Sequence, residues 1–405
     1  MHIPFTKPYW GDEEIELVIQ SIKTTSGIGD GPSTKILIQK LQLLLDAPYI
    51  LPVTSCTHGL ELILASLQLG KPDEVIVPSF TMSSTANAVI LSGALPVFAD
   101  IEPDRYTIDP EDVKRCITPY TKAIILVHYA GMPCLMEELL AIAKQYHLFV
   151  IEDAAHAIGA TYKGKALGTF GVAGAFSFHG TKNICCGEGG VVVTKNKKLS
   201  DVMEIYRANG TNRREFLKGM IDRYTWVGKG TSFFLSDILA SILVAQVEKI
   251  PVINARRMQI ARTYTQAFED YGDVVALSAV PSYAQPNWHI YGIRFKKEVH
   301  AALFIKEMHK KEIGVSTHYV PLHDSPMGIQ LRKLRISCYR ETADSAYFRE
   351  PSPLEVAFFS RRLPVTESAA RTLVRLPIYP GLTDQELHYI IEEATKILRS
   401  FVRRL

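Results

Sequence analysis

The fold and the function are both decided by residues 176–190, which read Phe-Ser-Phe-His-Gly-Thr-Lys-Asn-Ile-Cys-Cys-Gly-Glu-Gly-Gly. A small and aromatic run at 175–178 predicts the end of a buried strand, and 191–194 predicts a second strand. A polar, glycine-lined turn between them places Lys182 near a strand end. A lysine amine there can form a Schiff base if burial lowers its pKa, although an isolated turn lysine is usually solvated.

Length and charge narrow the class of protein. The 405 residues are enough for a large core and predict one or two domains. Lys plus Arg (45) nearly balance Asp plus Glu (42), which argues against binding to nucleic acid through a basic face. We find no apolar run of about 18 residues and no signal peptide, so we expect a cytoplasmic protein without a membrane segment.

The six cysteines are predicted to be free thiols in a cytoplasmic protein. Cys185 and Cys186 are adjacent, and no cysteine spacing matches a zinc site, so no metal is expected.

Apolar strands alternate with amphipathic helices between residues 74 and 151. This alternation indicates a mostly parallel sheet that is covered by helices on both faces. Ligands bind such sheets at the carboxyl ends of the strands. The predicted ends carry the polar residues Thr57, Ser79, His128, Asp153 and Ser177.

A hydroxyl-rich turn at residues 54–59 lies between a predicted strand at 49–53 and a predicted helix at 60–67. This arrangement directs backbone N–H groups and a helix dipole at an anion, as in phosphate sites. Thr54 and Ser55 could also be no more than helix caps.

The pattern changes towards the carboxyl terminus. Two helices are predicted at 236–247 and 253–271, and the second is expected to link two domains. A smaller α+β domain follows, with strands at 289–295 and 315–318 and helices at 301–312 and 383–401. We therefore predict a large domain at 1–250 and a linker helix with a small domain at 251–405, in which 338–364 is an insertion.

A carboxylate and a lysine are predicted on neighbouring strand ends, with the hydroxyl-rich turn on a third. Pyridoxal phosphate requires this combination: Lys182 would hold its aldehyde as an imine, Asp153 would keep the pyridine nitrogen protonated, and the turn at Thr57 would take the phosphate. An ordinary Asp153–Lys182 salt bridge and a capping Thr57 are the competing interpretation.

Further motifs make a family resemblance specific over nearly the whole chain. The sequence resembles the DegT/DnrJ/EryC1/StrS family of sugar aminotransferases, which implies the aspartate-aminotransferase (type I) fold. The likeness is carried by Thr57, Met82, Asp153, His156, Ser177, Lys182 and 188–190 at their spacing, and by the runs at 78–81, 97–100, 128–131, 152–156, 236–237 and 318–323.

The resemblance implies roles for individual residues around the cofactor. Lys182 would be the catalytic residue that binds the cofactor and moves the proton, and Asp153 would pair with the pyridinium. His156 would hold the side of the ring that carries the 3-oxygen. The other implied contacts are Thr57, the His58 backbone and Ser177 at the phosphate, Ser232 reaching it from a partner subunit, and Met82 where relatives usually stack an aromatic ring.

The implied reaction is a ping-pong transamination, and the implied assembly is a homodimer with shared active sites. L-glutamate would give its amine to the cofactor, and the pyridoxamine phosphate form would then aminate a keto group on a nucleotide-linked deoxysugar. Asn212, His318 and Tyr319 are candidate sugar-nucleotide contacts, with loop packing as the alternative. Four runs are closer to the enterobacterial-common-antigen branch, which forms dTDP-4-amino-4,6-dideoxygalactose: 29–31, 54–57, 210–213 and 222–226.

Other functions stay open to different degrees. A 3-dehydratase of the same fold replaces the lysine by histidine, so Lys182 argues against it. A 3-keto sugar, another nucleotide or a cyclitol as acceptor is compatible with the motifs. A non-catalytic sensor of sugar nucleotides is disfavoured by Lys182 and Asp153. An NAD-dependent oxidoreductase would need a glycine fingerprint after the first strand, which residues 54–59 do not supply.

Overall fold

A computed structural model of the chain describes residues 2–24, 29–341 and 361–403, with the backbone alone described at 334–341. Most of the predicted insertion at 338–364 lies outside these residues. The helices are α1 (Asp12–Thr24), α2 (Pro32–Leu45), α3 (Cys56–Ser66), α4 (Ser83–Ser92), α5 (Pro110–Cys116), α6 (Met136–Gln145), α7 (Lys197–Arg207), α8 (Arg213–Leu217), α9 (Asp237–Phe268), α10 (Glu298–Lys310), α11 (Pro326–Glu341), α12 (Pro364–Thr372) and α13 (Asp384–Val402).

The strands form one large sheet and two small ones. The large sheet has the order β1-β9-β8-β5-β4-β2-β3, and only β9 runs against its neighbours, which confirms the mostly parallel sheet. The strands are β1 (Tyr49–Val53), β2 (Glu74–Pro78), β3 (Leu95–Ala99), β4 (Thr121–Val127), β5 (Phe149–Asp153), β6 (Thr161–Tyr162), β7 (Lys165–Ala166), β8 (Ala173–Ser177), β9 (Gly190–Thr194), β10 (Val275–Leu277), β11 (Ala284–Gln285), β12 (Tyr291–Phe295) and β13 (Leu373–Leu376).

The sheet is buried on both faces, as its continuous apolar strands predict. Every residue of β2, β8 and β9 is buried. Helices cover both faces, α3 and α7 on one side and α2, α6 and the first half of α9 on the other. The chain therefore delivers the carboxyl ends of β2, β3, β4, β5 and β8 to the same edge of the sheet.

A second hydrophobic cluster lies in the carboxyl-terminal part, around β10, β12 and β13 with α10 and α13. Ile3 from the amino terminus also packs there and bridges Ile313. The two clusters support the division into two domains near residue 250, which stays a prediction.

The prediction of two helices at 236–247 and 253–271 is wrong, because α9 continues through Pro251 as one helix. Proline removes one helical hydrogen bond, and here packing at both ends of the helix outweighs that cost. Its first half is buried in the large core and its second half in the small one. Within the described residues, 237–271 is also long and apolar enough to cross a bilayer, contrary to expectation; half of an apolar 18-residue stretch within it is buried, as in the core helix of a soluble protein, so this is weak evidence.

The small sheet differs from the sequence-based prediction. Residues 315–318 do not form a strand; only Ser316 makes an isolated bridge, to Arg375. The edge beside β12 is occupied instead by β13, a short strand that we did not predict. A four-residue strand directly after α12 gives too few alternating positions for a reading based on periodicity.

Candidate active site

A cavity of about 630 Å³ opens at the carboxyl ends of the large sheet, where it meets the carboxyl-terminal part of the chain. Such an edge is where α/β sheets bind ligands. Eight of the residues singled out from the sequence line it: Thr57, Met82, Asp153, His156, Ser177, Lys182, His318 and Tyr319.

Lys182 lies in the turn between β8 and β9. Backbone hydrogen bonds close this turn on both sides, from Phe178 N–H to the Gly189 carbonyl (2.8 Å) and from Gly180 N–H to the Gly187 carbonyl (2.8 Å). The side chain reaches into the cavity, and burial lowers the pKa of its amine from 10.5 to about 8. About one tenth of the amine is therefore neutral at pH 7, and this neutral form is the nucleophile and the base.

Asp153 ends β5 and is buried at the base of the cavity. Its carboxylate accepts hydrogen bonds from the Thr85 hydroxyl (2.8 Å) and the Ala155 N–H (3.2 Å), and the Cys56 thiol lies 3.9 Å away. These partners are uncharged, and burial raises the pKa of Asp153. A buried carboxylate with neutral partners is suited to a cationic N–H donor.

His156 follows in the loop after β5. Its Nδ1 accepts a hydrogen bond from the Ala130 N–H (3.3 Å), and burial beside other cationic groups lowers the pKa of the ring well below 6.5. The neutral ring must then carry its proton on Nε2, which makes it a hydrogen-bond donor. The ring lies 4.4 Å from that of His289, which also lines the cavity.

Helix α3 begins at Cys56 on the cavity wall, four residues earlier than the predicted start at residue 60, so Thr57 lies in its first turn. Ser55 is its N-cap and accepts from the His58 N–H (3.1 Å), so the capping interpretation of Ser55 is correct. Gly190 lets β9 approach this helix end, because a Cβ there would lie 2.5 Å from the Ser55 carbonyl carbon. The N-terminus of α3, with Thr57 in its first turn, directs N–H groups towards the cavity.

Three of the predicted site residues do not line the cavity within the described residues. The His58 ring turns away, with Nδ1 2.5 Å from the Thr54 hydroxyl, and stacks on Phe233. Ser232 pairs with Ala208 in an isolated bridge. Asn212 accepts from the Thr225 N–H (2.8 Å) on an exposed loop. Their proposed roles at the His58 backbone, or across a subunit boundary, stay predictions.

Arg375 on β13 is a cavity residue that our sequence reasoning missed. Its Nε and Nη2 donate to the Thr317 carbonyl (3.2 and 2.9 Å), and Nη2 also donates to the Ser316 hydroxyl (2.8 Å). Among the described residues Nη1 makes no hydrogen bond. The signal in the sequence is limited to one charged residue in the short apolar run of Leu373, Val374 and Leu376, which is too short for periodicity to mark it as a strand.

The groups in the cavity fit pyridoxal 5′-phosphate. They comprise an amine for its aldehyde (Lys182), a buried carboxylate for its ring nitrogen (Asp153), a neutral imidazole donor (His156) and a hydroxyl-bearing helix N-terminus for its phosphate (Thr57). The fold and the site together define the class: a pyridoxal-phosphate-dependent aminotransferase of fold type I.

The chain belongs to the DegT/DnrJ/EryC1/StrS aminotransferase family, whose model matches residues 8–352. The protein MJ1066 of Methanocaldococcus jannaschii, which is uncharacterized, is 34% identical over 402 residues, covering 98% of this chain and 97% of its own.

Solved structures give the same assignment. Spr1654 from Streptococcus pneumoniae, a proposed sugar aminotransferase known in pyridoxamine and pyridoxal phosphate forms, is 26% identical with a TM-score of 0.83, covering 100% of this chain and 99% of its own in its pyridoxamine phosphate form. DesV of S. venezuelae, solved with a ketimine intermediate, is 28% identical with a TM-score of 0.82, covering 96% and 94%. The family and these neighbours support activity as a sugar aminotransferase.

Proposed function

We propose that this enzyme transfers the amino group of L-glutamate to the 4-keto group of dTDP-4-keto-6-deoxy-D-glucose and forms dTDP-4-amino-4,6-dideoxygalactose. The observation that carries the proposal is the buried Lys182 amine, with a pKa of about 8, in one cavity with the buried Asp153 carboxylate. The choice of acceptor rests on the runs at 29–31, 54–57, 210–213 and 222–226, which resemble the corresponding branch of the family.

Pyridoxal phosphate supplies an electron sink that makes the carbon–hydrogen bond next to the amine acidic. The protein supplies the proton transfers around it. In each half-reaction Lys182 Nζ would act first as base and then as acid, moving one proton between the substrate carbon and the cofactor carbon that carries the nitrogen. Asp153 would keep the ring nitrogen protonated, and His156 would donate from Nε2 to the oxygen on the ring edge.

Arg375 is our candidate for binding the amino donor. Glutamate carries two carboxylates, and a guanidinium is the side chain best shaped to bind one. The hydrogen bonds from Nε and Nη2 fix the orientation of the group, which leaves Nη1 for a ligand. The same bonds hold Thr317, beside His318 and Tyr319.

We propose that His318 and Tyr319 contact the sugar. The Tyr129 hydroxyl lies 2.7 Å from His318 Nδ1, and the His318 ring stacks on Tyr319 with 3.6 Å between centroids. Burial lowers the pKa of His318 to about 2, so the ring stays neutral. A neutral ring can hydrogen-bond to sugar hydroxyls without attracting an anionic group. Asn212 would contact the substrate only from a partner subunit.

A homodimer with shared active sites is the assembly that we propose. Apolar side chains that a monomer would leave in water support it: Ile15, Ile19 and Ile22 on one face of α1, and Met220, Tyr224 and Trp226 in the loop after α8. In such a dimer Ser232 and Asn212 would complete the partner's cavity. Mixing subunits that carry Lys182→Ala with subunits that carry Ser232→Ala tests this, because shared sites would restore part of the activity in the mixed dimer.

The function is tested with the absorption spectrum of the purified protein. A lysine-bound cofactor absorbs at about 420 nm and its pyridoxamine form at about 330 nm, so L-glutamate should convert the first band into the second. Adding dTDP-4-keto-6-deoxyglucose should restore the first band. Restoration by a 3-keto sugar, another nucleotide or a cyclitol alone would leave the reaction class intact and replace the substrate.

If these bands are absent and Lys182→Ala behaves like the wild type in this assay, the non-catalytic sensor is favoured.

We also propose a cytoplasmic location, as expected from the sequence.

A further inference from the structure

We propose that His323, Asp324 and Glu367 form a binding site for a divalent transition-metal cation such as Zn²⁺, separate from the cofactor cavity. One potential ligand atom of each residue, a ring nitrogen or a carboxylate oxygen, lies within 4.8 Å of the other two. None of the three residues lines the cavity that holds Lys182. No sequence motif marks the site, because Glu367 comes from a separate segment of the chain.

The buried His323 ring is the observation that points to a ligand. The side chain is 3% exposed, and its Nε2 makes no hydrogen bond within the described residues. The nearest groups to Nε2 are Asp324 Oδ2 at 3.5 Å and Glu367 Oε1 at 3.6 Å. A buried polar atom without a partner is costly, and two oxygens beyond hydrogen-bond distance do not satisfy it.

The other ring nitrogen of His323 contacts Ser79. Nδ1 of His323 lies 2.7 Å from the Ser79 hydroxyl, which also accepts from the His323 N–H (3.0 Å). In one tautomer Ser79 donates to Nδ1 and Nε2 carries the proton towards the carboxylates; in the other Nδ1 donates to Ser79, and the lone pair on Nε2 can join the two carboxylates in binding a metal ion. Metal-bound histidines commonly donate their second N–H to a protein oxygen in this way.

The spacing suits a small tetrahedral ion. Zinc bonds nitrogen and oxygen at about 2.0 to 2.2 Å, so the edges of its tetrahedron measure about 3.3 to 3.5 Å. The distances from Nε2 to the two carboxylates match these edges within a few tenths of an ångström. Asp324, with its side chain 54% exposed, can rotate to close the remaining edge, and water would supply the fourth ligand.

Two arginines already neutralise part of the acidic charge. Arg332 binds Oδ1 of Asp324 (3.2 Å), which leaves Oδ2 towards the histidine. Arg362 binds Glu367 through both carboxylate oxygens, and the Leu363 N–H donates to Oε1 (3.1 Å). Arg362 is 79% exposed at its side chain, so it can move away when a metal competes for Glu367.

An ion in this place would tie three parts of the fold together. Ser79 follows β2 of the large sheet, Glu367 lies on α12, and His323 is in the segment that begins at the cavity residues His318 and Tyr319. The metal ion would therefore have a structural role where the large sheet meets the carboxyl-terminal part of the chain. It takes no part in the transamination.

The test is calorimetric titration of the full-length holoenzyme with Zn²⁺ after chelator treatment, without amino donor. We expect one ion per chain. Asp324→Asn and Glu367→Gln should each weaken binding at least about tenfold, whereas Glu298→Gln, a control that removes another ion-paired glutamate, should not. Arg362→Gln should tighten binding, because it removes the competing cation. Cobalt substitution should give the intense visible bands of a tetrahedral site.

Absence of saturable binding, or equal binding by the wild type, Asp324→Asn and Glu367→Gln, would overturn the site. Since Glu367 also receives the Leu363 N–H, Glu367→Gln can destabilise the fold. Asp324→Asn changes an exposed side chain, so it remains an informative variant if Glu367→Gln fails to fold.

Discussion

Polar residues at the carboxyl-end edge of the large sheet have two different roles: some face the cavity and others hold neighbouring segments of the chain. At the ends of β5 and β8, Asp153 and Ser177 face a cavity, and the hydrogen-bond donors to the Asp153 carboxylate among the described residues are uncharged. At the end of β3, Asp100 accepts from the N–H groups of Val365 (3.1 Å) and Thr366 (2.8 Å) and so holds the start of α12. At the end of β2, Ser79 binds His323.

This difference shows how a strand-end residue is recognised as functional. Both aspartates are buried and both follow strands of one sheet. Asp100 lies outside the cavity and is satisfied by backbone donors of the protein itself, whereas Asp153 lines the cavity and burial raises its pKa. Position in the sheet therefore selects the candidates, and access to the cavity together with a raised pKa identifies the group that binds a ligand.

The largest effect is expected at the cavity end, for Lys182→Ala. Without the amine, no group can bind the cofactor covalently or move the proton, so turnover should fall by about 10³-fold or more. Lys182→Arg should fail similarly, since a guanidinium keeps its proton at any working pH. Turnover with glutamate and keto sugar is the measurement; substantial activity in either variant would contradict the assignment.

Replacing Asp153 and Asp100 in turn by asparagine compares the two roles directly. Asp153→Asn cannot keep the ring nitrogen protonated, so we expect turnover to fall by about 100-fold with the fold retained. Asp100→Asn should instead lower the free energy of unfolding by about 1 to 3 kcal/mol and leave the spectrum of the bound cofactor unchanged. Equal effects of both changes on stability and turnover would refute the distinction.

The pH dependence of the second half-reaction sharpens the role of Lys182. In this half-reaction the neutral amine acts as base, and burial lowers its pKa to about 8. Below this pKa the neutral fraction falls roughly tenfold per pH unit, so the rate should rise with pH and level off above about 8. Single-turnover rates with the pyridoxamine-loaded enzyme measure this pH dependence. A rate that stays constant between about pH 6 and about pH 8 would contradict the role of Lys182 as base.

Substitution of Arg375 tests whether the sheet formed by β10, β12 and β13 contributes to substrate binding. Arg375→Gln removes a charged donor for a carboxylate, so the KM for glutamate should rise roughly tenfold or more. The keto-sugar half-reaction should change little. Arg371→Gln is a matched control, because Arg371 pairs with Glu298 outside the cavity. Equal losses in both half-reactions would mean that Arg375 acts by holding Thr317 and its neighbours.

The comparison also explains what the sequence could predict. The cavity residues from the large sheet, such as Asp153 and Lys182, lie at the ends of strands whose apolar runs are plain in the sequence. Arg375 and the His323 cluster depend on which distant segments meet, and no local period encodes that. Pro251 shows the opposite failure, because a strong local signal for a break was overridden by packing at both ends of α9.

The smallest effect is expected at Met82, which lines the cavity and is 56% exposed. A thioether against an aromatic ring contributes about 0.3 to 1.5 kcal/mol, so Met82→Ala should weaken retention of the cofactor about two- to tenfold. Met82→Phe should strengthen it, since stacked rings add about 0.5 to 1.5 kcal/mol. Dissociation of pyridoxamine phosphate, which is not covalently bound, gives the affinity. Met327→Ala, which changes an exposed methionine outside the cavity, is the control. If Met82→Ala and Met82→Phe weaken binding equally, the side chain is not packed on the ring.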